Sequence, residues 1–235
     1  MSRAIILAGG QGVRLRPYTV ALPKPLMPIG DYPILEIVVR QLVRNGFKHI
    51  TMAVNHQADI IKAFFQDGAK WGLKIDYSLE DKPLSTMGPL KLIPDLPEHF
   101  LVMNGDVLSD VNYHDFLTTH VTDNKTFTIL SHVRKDRVDY GVLKTNTNNK
   151  LIGFEEKPVN TYLVSMGIYA ASRRILSEIT EGVPFGFDDL MRCFLAKDES
   201  VSVVPYGGYW MDIGRPEDYA QASKDFSKLK ERLGI

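Results

Sequence analysis

The chain has a single cysteine, Cys193, so no intrachain disulfide can form and a disulfide-stapled secreted scaffold is excluded. A reducing, cytoplasmic setting is the expectation, with Cys193 as a small core or helix-face residue. An excess of charge of one sign is also missing. The 28 Lys and Arg balance the 28 Asp and Glu, so nothing global favours nucleic acid or an anionic membrane. Any cationic site must therefore be local. Long hydrophobic runs are lacking too: the apolar stretch at 4–8 is far too short to span a membrane, and no charged-then-apolar leader opens the chain. There is no low-complexity linker, internal repeat or clear domain boundary. One domain over residues 1–235 is expected, and a 44% hydrophobic content can bury a sizeable core without staples.

What is present begins with an alternation of strands and helices. AIILA (4–8) reads as a buried strand, Ile34 to Asn45 as an amphipathic helix capped by Gly46, and HITMAVN (49–55) as a strand. Ala58 to Gln66 reads as a helix ahead of Gly68, LKIDYSLE (73–80) as a strand and FLVMNGD (100–106) as another. This rhythm predicts a mostly parallel sheet covered by helices on both faces. Ligands in such sheets lie beyond the carboxyl ends of the strands. Gly9 and Asp106 both fall there, so one cleft should hold both. The second half is less regular. Strands are expected at 127–133, 140–145, 165–172 and 200–205, with another starting at LIGFEEKP. NTNNK reads as a turn, 173–179 and 187–196 as helices, and 216–233 as an amphipathic terminal helix opened by proline.

The first strand empties into Gly9, Gly10, Gln11 and Gly12, with Arg14 and Lys24 close behind. Glycines let the backbone approach a phosphate and point N–H groups at it, and the two cations supply charge where a polyphosphate would lie. The loop is not a P-loop, because no Gly-Lys-Ser/Thr follows. Nor is it a dinucleotide fingerprint, since Leu15 occupies the third glycine position. Its spacing to Arg16, Pro17, Thr19 and Lys24-Pro25-Leu26 makes it specific.

That segment resembles the signature of the sugar-1-phosphate nucleotidyltransferases. The resemblance recurs in order at EDKPLSTMGPL, NGDVLSD, YGVL, GFEEKP, SMGIYAAS and GYWMDIGRPEDY, so it covers essentially the whole chain. It implies a Rossmann-like α/β fold of the glycosyltransferase-A type, a mostly parallel mixed sheet with helices on both faces. A nucleotide-binding half over about 1–125 and a sugar-phosphate half over about 126–235 are expected. The short, single-domain form lacking a C-terminal β-helix is the closest match. The implied reaction joins a nucleoside triphosphate to a sugar 1-phosphate by in-line attack on the α-phosphorus and releases pyrophosphate. No covalent enzyme intermediate is needed, and the protein mainly positions two anions.

The same resemblance implies the roles. Arg14, Lys24 and Asp106 are expected to be catalytic, with Arg14 on the leaving pyrophosphate. Ala8, Gly9, Gly10, Gly12, Thr86, Gly88 and Asn104 join Arg14 as nucleotide-binding residues. Gly141, Glu156, Lys157 and Ser165 are expected to bind the sugar phosphate. Asp106 and Asp212 are expected to hold Mg²⁺, a hard cation suited to carboxylate and phosphate oxygens. Asp110 reads as a loop or helix-cap residue, and His56, His114, His120 and His132 lack metal-ligand spacing. No nucleic-acid or membrane partner is expected, and relatives commonly form homo-oligomers.

Three positions depart from the family pattern. Ser85 and Met87 replace glycine and alanine in the base-reading loop, and Ser165 replaces an asparagine. PLSTMGPL is nearest in pattern to guanylyltransferases, which favours GTP, and SMGIYAAS, PFGFDDLM and GYWMDIGRPEDY resemble members acting on mannose, heptose or amino-sugar 1-phosphates. The alternatives are UTP, CTP or dTTP as donor, a non-sugar phosphate acceptor, or a nucleotide-sugar sensor without turnover. A glycosyltransferase of the same fold is disfavoured, because no D-x-D motif is present.

Overall fold

The computed structural model describes residues 2–55 and 57–235, so His56 lies outside the described residues. In chain order the strands are β1 (Arg3–Leu7), β2 (Pro28–Ile29), β3 (Tyr32–Pro33), β4 (His49–Val54), β5 (Lys74–Leu79), β6 (His99–Asn104), β7 (Val107–Ser109), β8 (Phe127–Arg137), β9 (Gly141–Thr145), β10 (Leu151–Glu156), β11 (Val159–Ser172), β12 (Val201–Pro205) and β13 (Trp210–Asp212). The helices are α1 (Ile34–Arg44), α2 (Ala58–Phe65), α3 (Tyr113–Thr122), α4 (Phe187–Ala196) and α5 (Pro216–Leu233).

Seven strands form the main sheet in the order β12-β8-β11-β6-β1-β4-β5. β1 lies parallel to β4 and β6, β4 to β5, and β8 to β12. β11 alone runs antiparallel to both its neighbours, β6 and β8. The mostly parallel mixed sheet expected from the sequence is thus present. β1 shows why it is covered on two faces. Successive strand residues point to opposite sides, and β1 is apolar at both sets. Ala4 and Ile6 pack with Leu35 and Val38 of α1, Ile61 of α2 and Phe116 of α3. Ile5 packs on the other side with Leu190 and Phe194 of α4 and with Ile175. A third cluster places Leu15 and Ile29, from the segment after the glycine loop, against Ala222, Phe226 and Leu229 of α5. The terminal helix therefore braces the loop that follows β1.

Several elements extend beyond the sequence expectation. β8 and β11 run past their apolar centres, pairing from Val159 opposite Arg137 to Ser165 opposite Ser131. That extension carries exposed charged residues, so inter-strand pairing rather than burial holds it and no apolar alternation marks it. α3 is capped by Asn112, whose side chain accepts from the Asp115 N–H at 3.1 Å, and its mixed composition hid it from a periodicity reading. Residues 173–179 contribute only a short 3-10 turn, Arg173–Ser177, rather than a longer helix. β7 and β13, three residues each, pair into a small antiparallel ribbon. No helix of the described residues is long and apolar enough to cross a membrane.

Candidate active site

β1 and β6 are neighbours in the sheet, and both end at the same edge. Their exit loops line a cleft of about 390 Å³, with Ala8, Gly9 and Gly10 on one wall and Asn104 and Asp106 on another. Gly9 and Asp106 therefore share one cleft, as the strand pattern predicted. Thr86 of the 83–90 loop also lines it. Its hydroxyl accepts from the Phe187 N–H at 2.8 Å, which ties that loop to the start of α4.

Lys24 is delivered by the chain after the glycine loop. Gly12 adopts φ +62°, and a Cβ there would lie 3.0 Å from the Lys24 Cβ and 2.9 Å from Thr19 Cγ2. Only glycine combines that conformation with such a close approach. The Thr19 hydroxyl donates to the Gly12 carbonyl at 2.8 Å and closes the turn. Lys24 is 8% exposed, and its ammonium donates to Asp106 Oδ2.

Asp106 and Asp212 converge through the β7–β13 ribbon. Asp212 stands opposite Val107, and the Ile213 N–H donates to the Asp106 carbonyl at 3.1 Å. Desolvation, followed by the like charge of Asp106, pushes the Asp212 carboxyl up, against the opposing pull of Lys24 and Arg14. Arg14 sits at this junction as well: a Cβ on Gly214 would be 3.3 Å from Asp212 Oδ2 and 3.6 Å from an Arg14 guanidinium nitrogen. The two carboxylates repel each other where they stand. Their donor set is hard oxygen, which fits a divalent cation that also takes phosphate oxygens. Among the described residues no third His, Cys, Asp or Glu joins them.

Asp110, by contrast, is a structural anchor. It accepts from Tyr206 Oη and from the Tyr209 N–H, both at 2.6 Å, and from Arg232 of α5. Burial would raise its carboxyl, but these donors outweigh burial and hold it below the usual range.

The remaining predicted residues are placed as follows. Asn104 lies against Gly167, whose φ is +71° and whose Cβ would fall 2.6 Å from the Asn104 amide nitrogen. Gly167 thus leaves room for Asn104 to reach the cleft. Gly88 is buried, and a Cβ there would meet Leu84 at 2.9 Å, so its tightest approach is to the protein itself. Gly141 and Glu156 are register partners on β9 and β10. They form one unit with Lys157 outside the cleft walls. The Ser165 hydroxyl donates to Tyr169 Oη at 3.1 Å.

Sequence reasoning missed Glu80 and Asn55. Both line the cleft and flank Gly9, where a Cβ would sit 2.9 Å from Glu80 Oε1 and 3.3 Å from Asn55 Cβ. Glu80 is 8% exposed. Burial pushes its carboxyl up, partly offset by the Leu84 N–H that donates to it at 2.9 Å. The Asn55 amide nitrogen is buried without a protein partner. Position alone was the available signal: each lies within a residue of a strand's carboxyl end.

The nucleotidyl transferase family model matches residues 3–228. The chain belongs to that family. It is 34% identical over 226 residues to a mannose-1-phosphate guanyltransferase of Yarrowia lipolytica, across 92% of this chain and 62% of that protein. It is 29% identical to a mannose-1-phosphate guanylyltransferase of Mycobacterium tuberculosis, across 94% and 64%. It therefore spans a little over three fifths of the length of these curated relatives. Among solved structures, HddC from Yersinia pseudotuberculosis complexed with GMP-PN superposes with a TM-score of 0.73 at 27% identity, across 96% of this chain and 100% of that one. The Rossmann-like α/β fold implied by the sequence resemblance is thereby established.

Proposed function

We propose that the protein transfers a nucleoside monophosphate, GMP by preference, from the triphosphate to a sugar 1-phosphate and releases pyrophosphate. The observation that carries this reading is the convergence of Lys24, Asp106, Asp212 and Arg14 beside a glycine-walled cleft. Two polyanions must be brought into contact, and this junction supplies fixed charges of both signs. The backbone of Ala8, Gly9 and Gly10 approaches the nucleotide, Lys24 holds phosphate oxygens at the reacting centre, and Arg14 takes the leaving group. A Mg²⁺ held by Asp106 and Asp212 would neutralise phosphate charge at that point. Gly141, Glu156, Lys157 and Ser165 receive the sugar phosphate.

Two features support GTP. The similar proteins include mannose-1-phosphate guanylyltransferases and a structure complexed with GMP-PN. Glu80 is a carboxylate on the nucleotide cleft. Guanine presents two adjacent donors, N1–H and the 2-amino group, which a carboxylate can accept together. Adenine, cytosine, uracil and thymine do not present that pair.

A pyrophosphate-release assay with Mg²⁺ tests the reading, crossing ATP, GTP, CTP, UTP and dTTP with a panel of sugar 1-phosphates. Release with GTP and one or a few sugars is expected. Release with another base reassigns the donor. No release from any pair, with nucleotide still binding, removes the nucleotidyl-transfer reading.

A further inference from the structure

The hairpin β9–β10 stands outside the main sheet, and its two strands pair only with each other. It continues the outer halves of β8 and β11, which pair as far as Arg137 opposite Val159. Together these strands form a two-stranded arm. From Val133 to Leu163 none of its residues is buried. A ribbon of two strands is marginally stable at best in water.

The arm is nonetheless patterned to bury one side. Successive strand residues point to opposite sides. Leu143 stands opposite Phe154, and Thr145 opposite Leu151, so these apolar residues share one side of the hairpin. Lys144 and Glu155 form an ion pair on the other side. The apolar side begins beside Gly141 and Glu156, which are also register partners, and runs outward to the turn at 146–150. Nearer the main sheet, Val133 and Leu163 stand opposite each other.

Val133, Leu143, Leu151, Phe154 and Leu163 are each between 50% and 64% exposed. At about 200 Å² for a large apolar side chain, they leave roughly 500 Å² of apolar surface open. Homodimer interfaces are about 65% apolar, so this strip corresponds to roughly 800 Å² per partner, the size of a standard stable interface. Charge is compatible with a second copy. Residues 133–163 carry six Lys and Arg and four Asp and Glu, and the whole chain has a formal charge of zero, so no net repulsion separates two copies. A twofold axis sets a patch against itself, so the apolar strip of one copy meets that of the other.

We infer that two copies of this chain dimerise through the arm, apolar side to apolar side, and that this contact fixes Glu156 and Lys157 for the sugar phosphate. The first part stands on the arm alone, and the second rests on the nucleotidyl-transfer reading. Glu156 ends β10 and Lys157 follows it, so both depend on the ribbon for their position. The nucleotide cleft is built on the main sheet and does not. Loss of the dimer should therefore weaken the sugar-phosphate side and spare the nucleotide side.

Sedimentation velocity on the full chain, from about 1 to 100 µM, compares the wild type with Leu143→Lys/Leu151→Lys and with Leu195→Lys. Leu195 lies on α4 and is 82% exposed, which makes it a control for loss of surface hydrophobicity elsewhere. The wild type and Leu195→Lys should sediment at twice the 26.5 kDa chain mass, and the double variant at the chain mass with an unchanged far-UV spectrum. A monomeric wild type at the highest concentration, or a double variant that stays dimeric, would overturn the arm as the dimer contact. Should the double variant misfold, hydrogen exchange on the wild type still decides. Amides of β9 and β10 should exchange faster at the lowest concentration than at the highest, and equal rates would overturn the contact. In steady-state kinetics the monomeric variant should raise the KM for sugar 1-phosphate about tenfold, with the GTP KM within about twofold. An unchanged sugar-phosphate KM would overturn the positioning role. If the wild type turns over no substrate pair, the nucleotidyl-transfer reading fails on its own, and the sedimentation result still decides the dimer.

Discussion

Lys24 and Asp106 lie 82 residues apart in sequence and form an ion pair in the wall of the nucleotide cleft. The pair is asymmetric, because Lys24 is almost fully buried whereas Asp106 is open to the cleft. Asp106→Asn removes a charge directed at the reacting centre and leaves Lys24 with a neutral partner. We expect kcat to fall by at least about a hundredfold. Stability should fall by only about 1 kcal/mol, since an amide oxygen can still accept from the ammonium. Near-wild-type turnover with Mg²⁺ would contradict the role given to Asp106.

Lys157 follows β10, next to Glu156, which pairs with Gly141 of β9. Lys157→Ala should raise the KM for sugar 1-phosphate about tenfold, with the nucleotide KM little changed. Steady-state kinetics with each substrate varied in turn separates the two. Equal losses for both substrates would indicate a folding defect instead.

Glu80→Gln exchanges two acceptor oxygens for one acceptor and one donor. Guanine then loses one of its two acceptors, whereas uracil and thymine, with a ring N–H beside a carbonyl, gain a matching partner. The ratio of kcat/KM for GTP to that for UTP should fall by about tenfold or more. An unchanged ratio would mean that Glu80 does not touch the base.

Ser85 adopts φ +65°, a conformation that costs a residue with a Cβ about 1 kcal/mol relative to glycine. The glycine that the family resemblance implies at this position would avoid that cost. Ser85→Gly should raise stability by somewhat less than about 1 kcal/mol, because the unfolded chain gains freedom at the same time. Urea denaturation measures the change, and a loss of stability would count against the strain.

His120 is buried, with Nδ1 2.8 Å from the Thr128 hydroxyl, and its ring meets His99 edge to face. Desolvation, then the nearby His99, pushes its pKa down to about 4. The folded state therefore keeps His120 neutral while the unfolded chain protonates it below about pH 6.5. Its contribution is fully present above that pH and is lost as the pH falls towards 4, by roughly 2–3 kcal/mol in total. His120→Gln retains a partner for Thr128 and should flatten the decline between pH 7 and pH 5 in urea titrations. An unaltered slope would assign the decline to other groups.

The sequence alone determined the strand-and-helix alternation of the first half, because apolar runs and glycine stops are local signals. It also determined the glycine loop with Arg14 and Lys24, since these lie on one continuous segment. Its resemblance to nucleotidyltransferases supplied the remaining motifs. What tertiary structure decided was adjacency. Asp106 and Asp212 meet only because two three-residue strands pair, and strands that short carry no periodic signature. Glu80 and Asn55 reach the cleft because β4 and β5 end beside Gly9. The run Arg134–Arg137 belongs to a strand only because β11 pairs with it. Contacts between segments far apart in the chain depend on sheet order and register, which no local pattern of residues encodes.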